Sequence, residues 1–285
     1  MRLAVIGSAG QLGTDMIAIG EAARHTVVGL DIPAIDITDR KSTIERIGKL
    51  APDAIINTAA FTAVDACEQK RDVAFAVNAD GAGNVAAAAA ACDAPVVHIS
   101  TDYVFDGTGA RPYVESDQPH PVSVYGQSKH EGELAVARET DRHWIVRIAW
   151  LYGQHGTNFV KTIRTVAARK AAAGEDLPVV NDQRGSPTWT VSICRQLLSL
   201  VRTDQYGIFH CTSEGACSWY DFAREIVQAA GIGVRVTPCG TGQFPRPAPR
   251  PANSVLENKR LKELGINCMP RWEDAFAAFC EQSPA

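Results

Sequence analysis

Tyr125 and Lys129 stand four residues apart in Tyr125-Gly126-Gln127-Ser128-Lys129. That spacing sets a phenol and an ammonium on one face of a helix. Upstream, Ser100-Thr101-Asp102-Tyr103-Val104-Phe105-Asp106-Gly107 puts a hydroxyl at the end of an apolar run, where it could meet the other two. Such a trio can protonate or deprotonate a carbinol oxygen, provided that something beside it handles hydride. A YxxxK spacing also arises by chance on exposed helix faces, so its meaning depends on what precedes it in the chain.

What precedes it is Gly7-Ser8-Ala9-Gly10-Gln11-Leu12-Gly13, which follows the apolar run Leu3–Ile6 and opens a helix. Gly7, Gly10 and Gly13 allow a tight turn, close approach of backbone to a pyrophosphate and close helix–sheet packing. The GxxGxxG spacing is the variant used by short-chain dehydrogenases; taken alone, it is also a plain strand-to-helix turn. Asp31, closing the second apolar run, can accept hydrogen bonds from an adenosine ribose and would repel a 2′-phosphate. NADPH or NADH is therefore expected, with Asp31 leaning towards NADH, although Asp31 could instead cap a turn and Arg24 could offset the repulsion. Asp36 and Ile37 lie near the expected adenine position. Asn57-Thr58-Ala59-Ala60-Phe61-Thr62 offers small residues beside the cofactor, which is also what a crowded strand-to-loop junction needs.

With hydride accounted for, the trio acquires roles. A tyrosine pKa near about 10 must fall to about 7, which takes roughly 4 kcal/mol of preferential phenolate stabilisation. The Lys129 ammonium and an oxidised nicotinamide supply much of it. Tyr125 is then the general acid, Lys129 also holds the nicotinamide ribose, and Thr101 positions the substrate carbonyl.

The elements that must carry these residues alternate along the chain. Short apolar runs at Leu3–Ile6, Thr26–Leu30, Ala54–Asn57, Val96–Ile99 and Trp144–Ile148 are separated by helix-length stretches at Leu12–His25, Arg40–Leu50, Val73–Cys92 and Ser123–Glu139. Uniformly apolar runs suit parallel strands covered on both faces. The expected fold is α/β: a doubly wound, Rossmann-like parallel sheet over 1–153, with the ligand outside the carboxyl ends of its strands. A smaller α/β substrate-binding lid should occupy most of 154–285, with the helix Val191–Val201 packing back on the first domain. Phe244–Pro251, with prolines at 245, 247, 249 and 251, must be an extended loop.

With 285 residues, 46% hydrophobic and 21% charged, the composition suits a globular enzyme. A net charge of −4 and the lack of a basic tract argue against a nucleic-acid partner. No apolar run approaches the length of a membrane span. Met1 leads straight into the first strand, so no targeting peptide is expected. The eight scattered cysteines read as reduced thiols of a cytoplasmic protein.

On these motifs the chain resembles the extended short-chain dehydrogenase/reductases, and among them the dTDP-4-dehydrorhamnose reductase family. The likeness spans nearly the full length. More specific than the glycine loop and YxxxK are the Ser100–Gly107 and Asn57–Asp65 segments, Arg147-Ile148-Ala149-Trp150-Leu151-Tyr152-Gly153, Asp182-Gln183-Arg184-Gly185-Ser186-Pro187-Thr188 and Arg250-Pro251-Ala252-Asn253-Ser254. The resemblance implies reduction of the C4 ketone of dTDP-4-dehydro-β-L-rhamnose to dTDP-β-L-rhamnose, the last step in making that polysaccharide precursor. It implies that Gly10, Gln11 and Leu12 contact the cofactor phosphates. Asp31, Asp36, Ile37, Ala59, Ala60, Phe61 and Thr62 would line its adenosine half and middle. Val64, Thr101, Asp102 and Trp150 would meet the sugar nucleotide, although Trp150 could equally be core. Arg250 could pair with the diphosphate or stay solvated.

Family members with a metal-bridged dimer use acidic ligands. Here Thr188-Trp189-Thr190-Val191-Ser192 has no carboxylate and Asp15 stands alone, so magnesium is not expected and a monomer or weak homodimer is. A 4,6-dehydratase would want an Asp-Glu pair after Thr101, where the chain has Asp102-Tyr103. An epimerase fits the longer motifs less well. A non-catalytic regulatory subunit, such as the relative that partners methionine adenosyltransferase, would have no reason to keep Thr101, Tyr125 and Lys129 together.

Overall fold

Six parallel strands form the central sheet of the computed structural model, which describes residues 1–282. In chain order β1 is Arg2–Ile6, β2 Thr26–Leu30, β3 Ala54–Asn57, β4 Val96–Thr101 and β5 His143–Ile148. The spatial order is β2, β1, β3, β4, β5 and then Gly207–His210. The order turns back between β1 and β3, and a crevice opens above the carboxyl ends of strands at such a point. β3 and β4 are buried along their whole length, as strands covered on both faces must be.

The two faces of β4 differ. Val97 and Ile99 enter a core with Leu12, Met16, Ile193 and Leu197. His98, Ser100 and, on β5, Arg147 are buried polar residues on runs otherwise rich in apolar side chains. Helices α1 (Gln11–Ala22), α2 (Arg40–Gly48), α3 (Val64–Gln69), α4 (Arg71–Phe75), α5 (Gly81–Ala91) and α6 (Val124–Glu139) complete the layers. The stretch expected as one helix over Val73–Cys92 is interrupted: α4 and α5 are joined by a π-helical turn, Ala76–Asp80. The turn places Asn78 beside the site, a common use of such irregularities.

Helix α6 starts at an N-cap, Ser123, whose Oγ accepts from the Gly126 backbone N–H. A Cβ at Gly126 would lie 2.1 Å from the Tyr103 carbonyl oxygen, so the absence of a side chain lets this turn close on the loop after β4. The consequence is that Tyr125, Lys129 and Glu133, one helical turn apart, all look towards β4 and β5.

From Tyr152 onwards a second core gathers Tyr152, Val160, Ile163, Trp189, Phe222, Phe276 and Phe279. The chain does not remain there. The helix Thr190–Leu200 sends Ile193 and Leu197 into the core shared with α1, and Gly207–His210 pairs with β5 as the edge strand of the main sheet. Two elements not expected from the sequence, the strand Val236–Cys239 and the short helix Lys259–Glu263, complete the C-terminal part. Phe244–Pro251 is irregular, as its prolines require. Among the described residues no helix is long and apolar enough to cross a membrane, and all eight cysteines are unpaired thiols.

Candidate active site

Backbone builds the first half of the crevice. Gly7 has φ +79°, and a Cβ there would sit 2.6 Å from the Ala59 nitrogen. A Cβ at Gly13 would lie 2.2 Å from the Gly7 carbonyl. The loop therefore lies flat against α1 and β3 only with glycine at both positions. Helix α1 begins at Gly10 with no side-chain cap, which leaves its first-turn N–H groups to face the crevice and favour an anion. A cavity of about 360 Å³ follows, lined by Gly7, Gly10, Asp31, Asp36, Ile37, Ala59 and Ala60 among others.

Asp31 both faces this cavity and braces it: its Oδ2 accepts from the Ala9 N–H at 2.8 Å and its Oδ1 from the Ile32 N–H at 2.8 Å. Asp36 accepts from the Thr38 N–H and hydroxyl, and the hydroxyl bond first among these holds its carboxyl below the ordinary range. Among the described residues no lysine or arginine lines the cavity. A cradle that a single Cβ would fill, beneath an uncapped helix N-terminus, fits the pyrophosphate of a dinucleotide. Phe61 lies elsewhere. Asn78 accepts from its N–H at 2.7 Å and donates to its carbonyl at 3.1 Å, while the ring packs with Cys67, Val124 and Tyr125.

Side chains build the second half, a cavity of about 380 Å³ that shares Gly10, Thr58 and Ala60 with the first. Gln11, Leu12, Thr62, Val64, Thr101, Asp102, Tyr125, Lys129 and Trp150 all line it. The Thr101 hydroxyl donates to Asp102 Oδ1 at 2.9 Å and accepts from the Tyr103 N–H at 3.2 Å. Burial pushes the Tyr125 phenol well above its ordinary range; Thr101 offsets this in part, and Asp102 adds to it. The neutral phenol is thus the resting form. Lys129 does not hydrogen-bond it: its Nζ donates to the Ile99 carbonyl at 2.7 Å and lies 3.4 Å from His98 Nε2. In the cofactor-free chain the lysine is turned to the strand, and burial dominates the phenol. Burial also pushes the Lys129 ammonium down to about 8, against the pull of Glu133. It pushes the Asp102 carboxyl up to about 6, against the bonds from Thr101 and Ser254.

Behind the trio is a buried ion pair that the sequence reading did not single out. Glu133 accepts from Arg147 Nε at 2.8 Å and Nη2 at 2.7 Å, and from the Ser100 hydroxyl at 2.6 Å. The signals were available: Glu133 continues the Tyr125–Lys129 spacing, and Arg147 interrupts an apolar strand. Asn78, which also donates to Ser128 Oγ on α6 at 3.0 Å, had no local signal, since it depends on the π turn.

Trp150 has φ +48°, lies stacked on Trp219 with centroids 3.4 Å apart, and donates from Nε1 to Ser254 Oγ at 3.0 Å. It is both packed and at the cavity wall. Arg250 is bound to Asp65 at 2.9 Å and does not line the cavity. Asp15 is buried, accepts a hydrogen bond from the Thr190 hydroxyl, and lies 3.5 Å from His155 Nε2.

Fold and crevice define a class: a doubly wound, dinucleotide-binding oxidoreductase fold of the extended short-chain type. The model of the RmlD substrate binding domain matches residues 1–284, and the chain belongs to that family. It is 41% identical to a dTDP-4-dehydrorhamnose reductase of Sinorhizobium fredii, over 96% of this chain and 95% of that one. It is 39% identical to a dTDP-4-keto-6-deoxy-D-glucose reductase of Streptomyces niveus, over 96% and 94%. Among solved structures, dTDP-4-dehydrorhamnose reductase from Bacillus anthracis in complex with NADP superposes with a TM-score of 0.94 at 36% identity, covering 99% of both chains.

Proposed function

We propose that this chain reduces the C4 ketone of dTDP-4-dehydro-β-L-rhamnose to dTDP-β-L-rhamnose with NADH or NADPH. The observation that carries the reading is the convergence of Thr101, Tyr125 and Lys129 on one cavity that is continuous with the glycine cradle. The names of the relatives at about 40% identity support the substrate class. Gly7, Gly10, Gln11, Leu12 and Gly13 would hold the pyrophosphate, and Asp31, Asp36, Ala59, Ala60 and Thr62 the remainder of the adenosine half and middle. Two carboxylates and no basic residue around the adenosine cavity favour NADH, whereas the B. anthracis relative holds NADP.

When bound, the dinucleotide supplies hydride to the ketone carbon. Thr101 orients the carbonyl, and Tyr125, neutral at rest, delivers its proton to the oxygen as negative charge develops there. Lys129 stands at the phenol's flank to meet the ribose. Trp150 and the region after Gly153 close over the sugar, with Arg250 held by Asp65 at the rim. With Asp15 engaged by Thr190 inside the chain, we read the protein as a monomer without a bridging metal.

The test follows loss of NADH or NADPH absorbance with freshly generated dTDP-4-dehydro-L-rhamnose. Sugar-dependent oxidation with dTDP-rhamnose as product is expected. Tight dinucleotide binding without turnover would favour a different sugar nucleotide or a regulatory role.

A further inference from the structure

His98 lies at the centre of β4, fully buried, with no part in the mechanism above. Its two nitrogens nevertheless connect the site. Nδ1 faces Asn57 Nδ2 at 3.3 Å, and Nε2 faces Lys129 Nζ at 3.4 Å. The orientation of the Asn57 amide follows from its other contact: Oδ1 accepts from the Ala59 N–H at 3.2 Å, so Nδ2 must point to the histidine. An amide N–H can only donate, so Nδ1 has to be the acceptor and the ring proton sits on Nε2. That N–H is directed at Lys129. An ammonium there would set donor against donor, whereas a neutral amine can accept it and still donate to the Ile99 carbonyl.

We propose that His98, oriented by Asn57, is a positioning residue that makes the neutral amine of Lys129 accessible, so that the lysine titrates during use rather than standing as a permanent cation. The inference rests on the reductase reading only for its consequence in turnover. The groups facing this pair divide: Glu133 favours the charged forms of both His98 and Lys129, and burial, the largest effect on each, disfavours them. On α6, Tyr125 is neutral and Glu133 is committed to Arg147 of β5 and Ser100 of β4. His143 of β5 acts on His98 in the same sense as Lys129, disfavouring its charged form, and burial does so more strongly than either. On the other side β3 offers the Asn57 amide. The lowered basicity of Lys129 agrees with this arrangement.

The experiment has two arms. In the cofactor-free protein, 15N NMR of the imidazoles, with His98 assigned by its loss in His98→Gln, should show a neutral Nε2–H tautomer between about pH 6 and about pH 9, where an ordinary histidine would titrate. The Nδ1–H tautomer, or an imidazolium anywhere in that range, would overturn the proposal. This arm needs no substrate, so it stands even if the sugar is misassigned. In the second arm, His98→Gln can turn a carbonyl oxygen towards Nζ and should stabilise the ammonium. The alkaline fall of kcat/KM for reduction should then move up by about one pH unit, the size of one hydrogen bond exchanged. A variant that folds and loses rate equally at every pH would make His98 a core residue and nothing more.

Discussion

The two halves of the crevice are built by opposite means. The cofactor half is made of main chain, with Gly7 and Gly13 pressed against neighbouring backbone and an uncapped helix end. The catalytic half is made of side chains from β4, α6, β5 and loops more than a hundred residues apart, such as Trp150 and Ser254. A backbone site tolerates loss of its side chains but not their addition. A side-chain site behaves in reverse, and it needs support underneath, here from Glu133 and Arg147.

The support should give the largest effect. Glu133→Ala leaves the Arg147 guanidinium buried without its partner, which costs about 3–5 kcal/mol when such pairs are broken. Denaturant unfolding should show it, and Glu133→Met with Arg147→Met should recover most of the loss; equal loss in the double variant would mean the pair itself stabilises. The pair also sets an acid limit. Burial works to raise the Glu133 carboxyl, but the bonds from Arg147, His130 and Ser100 outweigh it and bring it down to about 2. A carboxyl lower in the folded state stabilises fully above its unfolded value of about 4.3, and that stability drains away as pH falls towards 2. Unfolding free energy measured from pH 6 downwards should therefore decline below about pH 4.5 in the native protein and much less in the double variant.

Next comes the phenol. Tyr125→Phe should bind dinucleotide nearly as before and lose about 10²-fold or more in turnover, the contribution of a general acid and about 2.7 kcal/mol of barrier. Near-normal turnover would remove Tyr125 from the chemistry and leave the two halves without their distinction.

Gly13→Ala sharpens the comparison from the other side by adding one carbon. With 2.2 Å to the Gly7 oxygen and 2.8 Å to the Ser8 Cα, both backbone, the loop must shift. Dinucleotide affinity should drop by about tenfold or more, with strain of about 1–3 kcal/mol visible as a lower Tm. Unchanged affinity by fluorescence titration would show that the cradle has slack.

The same division explains what could be read from the chain. Gly7, Gly10, Gly13 and Asp31 are local in sequence, and the apolar runs that became β1 to β5 are nearly continuous, so the sheet and the cradle were legible. YxxxK was legible because a helix converts spacing directly into a shared face. The π turn at Ala76–Asp80 carries no Gly or Pro, and nothing in its composition marks it, so Asn78 and the true place of Phe61 stayed hidden. The return of Gly207–His210 to the main sheet is a long-range pairing that four residues cannot announce. The direction in which Lys129 points depended on His98 and the Ile99 carbonyl, and spacing along α6 holds no information about the strand beneath it.

The smallest effect belongs to Asp31. Its removal by Asp31→Ala would confuse two jobs, since the carboxylate braces the Ala9 and Ile32 N–H groups as well as lining the cavity proposed for the adenosine. Asp31→Asn keeps an oxygen for Ala9 while discarding the charge that would oppose a 2′-phosphate. If the charge reads the cofactor, the ratio of kcat/KM for NADPH over NADH should rise by about three- to tenfold, corresponding to about 1 kcal/mol at an exposed site. The rise should shrink in high salt, because an exposed charge is screened within about 10 Å at moderate ionic strength. An unchanged ratio would assign Asp31 wholly to the loop. The cofactor half would then be main chain throughout, with its preference set by shape alone.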